Sequence, residues 1–289
     1  MLLLLAAEPQ FVHGLRHALF DGYQKLHPRE RLSAPAVIVA IDETALERYG
    51  QWPWPRTRIA QLVTAIADAR PAVIGVDLLF PEPDRFSPAE VAQEVQALSG
   101  DVARRLRSLP SNDAALAAAV RGRNVVLGIA GLEAPDPRFA KPPSAPPILI
   151  ANAPDLSLRR FAGQLQSLPA IDRAAAGRGL LSVDPESNVI RRALVAGRIG
   201  DVVVPALSIE MLRVASGAPL ALVGRGRDQI ELRLGDIAVP AHADGRFWIR
   251  YGSHDPARFV SAAQVLDGSL AATELESKLV LIGVTGLGL

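Results

Sequence analysis

Val37-Ile-Val-Ala-Ile-Asp42 and Ala72-Val-Ile-Gly-Val-Asp77 flank a run in which Ile59, Leu62, Val63, Ile66 and Ala67 recur at steps of three and four. Each flanking segment is a continuous Val- and Ile-rich stretch that stops at an aspartate, the pattern of a strand buried on both faces. The run between them presents one apolar face at helical spacing. Two buried strands with a helix between, about thirty residues in all, make a crossover unit whose strands lie parallel and whose connection is right-handed. The expected fold class is α/β, with Asp42 and Asp77 at the carboxyl ends of two adjacent parallel strands.

Working outward from this unit, Phe11, Val12, Leu15, Ala18, Leu19 and Tyr23 predict an amphipathic helix over Pro9–Leu26, ending before His27-Pro28. On the other side, Ser87-Pro88-Ala-Glu90 has the parts of a capping box and predicts a helix from Pro88 to Leu106. A short helix over Asp113–Val120 then feeds a third buried strand, Asn124–Ala130. Glu133 to Pro147 holds six prolines and no periodicity, so it reads as a long exposed loop and a possible subdomain boundary. Beyond it the pattern turns antiparallel. Gly179–Asp184 and Val189–Ile199 read as a hairpin, Pro205–Val214 as a helix, and Gln229–Leu234, Ile237–Ala241 and Phe247–Tyr251 as a three-stranded meander. Ser261-Ala-Ala-Gln264 is a second capping-box pattern, and Leu279–Ile282 the last buried strand. The expectation is a mixed sheet with a parallel strand–helix–strand core and an antiparallel C-terminal portion.

With 289 residues, 49% hydrophobic and 21% charged, the chain can bury a sizeable core. A net charge of +1, with scattered arginines, argues against a nucleic-acid partner. The absence of cysteine removes disulfides, thiolate metal sites and a cysteine nucleophile. Candidate ligand-binding residues are Asp42, Trp52, Trp54, Arg56, Asp77 and Asp84. Carboxylates at strand ends line the crevice where α/β sheets take ligands and, with Glu43 and Glu82, could hold a hard cation. Alternatively Asp42 caps the helix that begins at Glu43 and Asp77 bonds loop amides. In Trp52-Pro-Trp54-Pro-Arg56 the indoles could stack on a flat or cationic ligand, or pack the loop onto the sheet while Arg56 pairs with Asp42, Asp77 or Asp84. His13 and His17 stand four apart without a third ligand. No nucleophile elbow surrounds Ser182, Ser253 or Ser261, no catalytic residue is nominated, and no cofactor or metal is expected.

The ordered series VIVAIDE (from Val37), WPWPR (from Trp52), AVIGVDLLFPEPD (from Ala72), Asp113-Ala-Ala-Leu116, Asp184-Pro-Glu-Ser-Asn188, Ala243-Asp-Gly-Arg-Phe-Trp-Ile-Arg-Tyr251 and Lys278-Leu-Val-Leu-Ile-Gly283 resembles the CHASE2 domain. That family consists of extracytoplasmic sensory modules of bacterial membrane receptors. The resemblance implies that residues 1–35 combine the stump of a membrane helix with an amphipathic linker helix, and that residues 36–289 form the sensory domain. It also implies a periplasmic location in an inner-membrane protein, membrane attachment through helices outside this sequence, and relay to a nucleotide cyclase, a diguanylate cyclase or a kinase. The stimulus, a small molecule or an envelope protein, is not named by the sequence, and a homodimer is expected by analogy. Two other readings stand beside this one: a metal-dependent phosphoesterase using Asp42 and Asp77, and a docking module for an envelope protein.

Overall fold

The computed structural model describes residues 10–30, 33–95, 98–139, 145–153, 156–181 and 189–286. Its centre is a seven-stranded sheet. Strands Phe259–Ser261, Ala36–Ile41, Leu279–Val284, Val73–Val76 and Val125–Leu132 run side by side and parallel, in that order. Gly177–Leu180 then pairs parallel with Val125–Leu132, whose far end pairs antiparallel with Gly163–Leu165. Val73–Val76 is buried at every position because both faces of the sheet are covered.

On one face, helix Arg56–Asp68 lays down Ile59, Leu62, Val63 and Ile66, all fully buried, beside helices Asn112–Val120 and Ala262–Leu266. Burying each of these four side chains stabilises the fold by about 1.5–3 kcal/mol, taken as an upper estimate. On the other face, helix Leu207–Ser216 packs Leu207 and Met211 onto Val73 and Val126. Gly75 permits that approach, since a Cβ there would stand 2.3 Å from Met211 Sδ. Parallel strands with helices on both sides confirm the α/β reading and the strand–helix–strand unit.

The order within the sheet differs from the expectation in one respect that bears on the site. The crossover from Ala36–Ile41 to Val73–Val76 skips a position, and the last strand, Leu279–Val284, fills it, paired parallel with both neighbours. Asp42 and Asp77 therefore end strands that are not adjacent. Two strand spacings, roughly 9.5 Å, separate their backbones, with Gly283 and Thr285 in the gap. A crossover fixes direction and handedness but not how many positions it spans, so the sequence pattern could not register the insertion.

Three other expectations are corrected. The helix expected over Pro88–Leu106 is two helices, Pro88–Glu94 and Gly100–Arg107, and Ser87 makes no side-chain cap bond. Of the hairpin expected over Gly179–Asp184 and Val189–Ile199, the described ends pair elsewhere: Gly177–Leu180 joins the parallel sheet, and residues 182–188 lie outside the described residues. Ala196–Ile199 turns back on Val202–Pro205 instead. In the meander, Gln229–Leu234 pairs with Ile237–His242 as expected, but the strand on its other side is Leu220–Gly224, followed by Ile148–Ala151. Arg246–Trp248 pairs with Arg192–Leu194. Leu220, Leu222, Ile230, Leu232 and Leu234 form a second core under this sheet. Ser261 and Gln264 do form a full capping box. The proline-rich stretch contains a short turn, Pro137–Phe139, where Arg138 bonds Asp136 and Glu82; residues 140–144 lie outside the described residues. Helix Gln10–Leu26 forms where the periodicity placed it, while Met1–Ala7 falls outside. Among the described residues no helix is long and apolar enough to cross a membrane.

Candidate functional site

The carboxyl ends of the parallel strands collect most of the residues singled out in the sequence. Asp42 is the N-cap of helix Glu43–Tyr49, accepting from Ala45 N–H at 2.9 Å, and it also accepts from Ser261 Oγ at 2.6 Å. Its carboxylate thus links two neighbouring strand ends. Asp77 stays solvent-exposed, its backbone N–H bound to Ile282 O, and among the described residues nothing hydrogen-bonds its carboxylate. The protein around it removes enough water to push the carboxyl above its ordinary value. The expected bonding of Asp77 to loop amides is not made.

In the tryptophan–proline segment the structure takes the packing alternative. Trp54 is 1% exposed, donates Nε1–H to Gly50 O at 2.7 Å and meets Tyr49 edge-on. It leaves no face open for stacking on a ligand. Trp52 lies half-buried beside it, across a cis Trp52–Pro53 peptide. Arg58, one turn into the following helix, sits over the Tyr49 ring.

Arg56 belongs to a buried polar knot that joins three segments. Its backbone N–H, the first of a helix with no side-chain cap, donates to Asp84 Oδ2 at 2.7 Å. Asp84 is 3% exposed and also accepts from Asn112 Nδ2 at 2.8 Å and from Phe86 N–H at 3.1 Å, so its buried charge is met by three donors. Asp84 N–H in turn donates to Asp113 Oδ2, and Asn112 N–H to Ser87 Oγ, each at 3.1 Å. The Arg56 guanidinium lies 4.5 Å over Phe80 and 3.8 Å from Asp113 Oδ1. Its charge is met by Asp84, as one of the sequence alternatives had it, and by Asp113, and not by Asp42 or Asp77. Burial pushes the Asp113 carboxyl up, opposed in part by the Asp84 N–H and the Arg56 charge, and pushes the Arg56 guanidinium down, opposed in part by the charges of Asp84 and Asp113. Ser87, Asn112 and Asp113 were missed as a group. Their signal was a pair of polar residues opening a helix that the sequence otherwise makes nearly all apolar.

A second polar contact, also unread in the sequence, holds helix Gln10–Leu26 to the body. Asp21 takes a two-pronged bond from Arg191, Nε to Oδ1 at 2.9 Å and an Nη to Oδ2 at 2.7 Å. Arg191 is buried while Asp21 remains partly open to water. Its guanidinium holds the Asp21 carboxyl below the ordinary aspartate value. One turn on, Gln24 donates to Ile249 O at 2.6 Å and accepts from Tyr251 N–H at 3.2 Å, while Phe20 stacks on Trp248 with ring centres 4.6 Å apart. Arg29 N–H donates to Tyr251 O just past the helix. Beside this clasp runs an open groove of about 540 Å³, lined by Phe20, Asp21, Gln24, Lys25, Arg191 and Tyr251 among others. No sequence periodicity joins residues 170 positions apart; the one available signal is that Asp21 is the helix's single acid.

Among the described residues no group of three or more His, Asp or Glu side chains is placed to hold a metal ion. Asp42 is engaged by a cap and by Ser261, and Asp77 stands two strands away. No curated protein and no solved structure matches the chain. The family model of the CHASE2 domain matches residues 1–289, the whole chain. CHASE2 domains are non-catalytic, extracytoplasmic sensory domains of signalling receptors. The chain belongs to the CHASE2 family.

Proposed function

We propose that this chain senses a stimulus on the periplasmic side of the inner membrane and passes it, through helix Gln10–Leu26, to membrane helices and a cytoplasmic output such as a nucleotide cyclase or a kinase. A signal needs two conformations that the stimulus favours unequally. The observation that carries the reading is the contrast in how the helix and the last strand are held. Leu279–Val284 lies between two parallel partners in the middle of the sheet, so it cannot shift without breaking the fold. Helix Gln10–Leu26 lies outside the sheet and is fastened to the body by side chains, a polar clasp at Asp21 and Gln24 and a ring stack at Phe20 among them. The helix and the last strand are the elements expected to move relative to each other, with the strand as the fixed reference and the helix as the moving part.

The groove beside the clasp is where a stimulus would act, because an occupant there touches helix and body together. A small molecule or a segment of an envelope protein that competes for Arg191 would loosen the helix, whereas one that bridges Lys25 and Tyr251 would tighten it. The test is made in the full-length receptor. Asp21→Ala and Arg191→Gln both shift the basal activity of the output in the same direction. Output equal to wild type in both variants, with the helix demonstrably released, would sink the reading.

A further inference from the structure

Arginines that lie scattered along the sequence are gathered by the fold at one place. A hollow of about 990 Å³ opens where the linker after helix Gln10–Leu26, the loop after Arg246–Trp248 and the turn before the edge strand Phe259–Ser261 meet. It shares Tyr251, Gly252 and Ser253 with the groove of the clasp and is otherwise lined by different residues. Its walls are anchored. Arg29 N–H donates to Tyr251 O at 2.8 Å, Arg258 N–H to Asp255 O at 3.2 Å, and Phe259–Ser261 pairs with Ala36–Ile41 in the central sheet. The three segments bring Arg29, Arg250 and Arg258 to the same hollow. Among the described residues, none of these three guanidinium groups has a hydrogen bond or an ion pair, although Arg258 is half-buried. By contrast Arg56, Arg178 and Arg213, half-buried elsewhere in the molecule, each meet a carboxylate. Two acids line the hollow as well: Asp255 accepts from Ala257 N–H at the start of its own turn, and Glu30 is exposed. The backbone N–H groups of Gly252, Ser253 and His254, on the same wall, bond to no described residue.

We infer that this hollow is a binding site for a phosphate-bearing organic molecule. Concave surfaces that collect one sign of charge focus the field on an ion of the other sign. Guanidinium forks match carboxylate and phosphate alike, but a carboxylate has only two oxygens to share. A phosphate meets the forks of more than one arginine and still accepts from main-chain N–H groups, which themselves favour anions where several stand together. The Ser253 hydroxyl adds one more donor on that wall. The hollow has the size of a small-molecule site, with room beyond the phosphate itself, and Ile249, Tyr251 and Phe259 give it apolar and aromatic wall against which an organic body packs. Two sources carry this chemistry, a soluble phosphate ester and the headgroup of a phospholipid. Either one joins the linker, the loop and the edge strand through a single ligand. The inference does not rest on signal relay, because binding alone reports it.

The test titrates the whole chain with phenyl phosphate in a calorimeter and, in a second arm, sediments it with phosphatidylcholine vesicles containing phosphatidylglycerol. Arg250→Gln and Arg258→Gln each weaken binding about tenfold or more, the worth of a charge-assisted hydrogen bond. Arg105→Gln, which removes an exposed arginine on helix Gly100–Arg107, leaves binding unchanged. Arg250 is exposed and its side chain holds nothing, so that variant keeps the wild-type melting temperature and reports on the site even if Arg258→Gln unsettles the turn. Binding of phenyl phosphate that is lost in the two variants assigns the site to soluble esters. Vesicle binding without phenyl phosphate binding, lost in the same variants, assigns it to a lipid headgroup. The inference is overturned if neither probe binds, if binding survives undiminished in Arg250→Gln and Arg258→Gln, or if Arg105→Gln weakens it as much as they do.

Discussion

The polar knot at Arg56 and the clasp at Asp21 use the same chemistry, a carboxylate met by arginine and amide groups, to opposite ends. In the knot, Asp84 lies inside the protein with three donors on it, and the segments it joins are each pinned a second time by apolar burial. In the clasp, Asp21 is open to water on one side, and the helix it holds turns a row of leucines outward. A buried carboxylate met by three donors favours one arrangement, even though Arg56 Nε and Asp113 Oδ1 in the same knot make no hydrogen bond. A half-exposed pair at the surface opens more readily than a buried one. The knot belongs to the scaffold, and the clasp is the joint of the proposed relay.

Breaking the knot has the largest effect. Asp84→Ala strands three donors and the Arg56 charge, and should destabilise the domain by about 3–5 kcal/mol in chemical denaturation. Trp54→Phe keeps the ring but removes the donor to Gly50 O, which costs about 1 kcal/mol. The clasp responds differently. In Asp21→Asn, amides of Gln10–Leu26 should exchange about tenfold faster or more, the worth of a charge-assisted bond, while the global unfolding midpoint hardly moves. Equal loss of protection in helix and sheet would erase the distinction between the two regions.

Acid should also separate the two regions. The Asp21 carboxyl is lowered in the folded state, so its contribution is complete above the ordinary aspartate value and is lost as pH falls through the lowered one. Helix exchange, corrected for intrinsic rates, should accelerate only there. Asp113 is raised, so its contribution is largest below the ordinary value and is lost as pH rises through the raised one. Asp113→Asn should therefore flatten the pH dependence of global stability just above the ordinary aspartate range, and an unchanged slope would contradict the assignment. The smallest effect is at the rim, where Asp77→Asn removes a partly desolvated charge that has no partner. It should raise stability, by no more than about 0.5 kcal/mol.

The two regions also differ in how far the sequence revealed them. Val37–Asp42, Ala72–Asp77 and the periodic run between them announced parallel strands and a crossover helix, because burial on both faces leaves a local pattern. Asp42 as a helix cap and the Ser261–Gln264 box were legible for the same reason: the interacting groups lie within four residues. The position of Leu279–Val284 between the first two strands was not legible, since nothing local encodes sheet order. Long-range polar pairs were the other gap. Of the carboxylates expected for Arg56, Asp84 is there, but Asp113, brought in by the packing of one helix on another, was not legible. Arg191 meets Asp21 only because the second half of the chain folds back onto the first helix.

Native-state amide exchange on the wild-type domain and on Arg191→Gln tests the division most directly. The account predicts that Gln10–Leu26 opens at a lower free energy than Arg56–Asp68 and Asn112–Val120, and that Arg191→Gln releases the helix alone. Helix and central sheet opening together in the wild type, or losing protection equally in the variant, would contradict it.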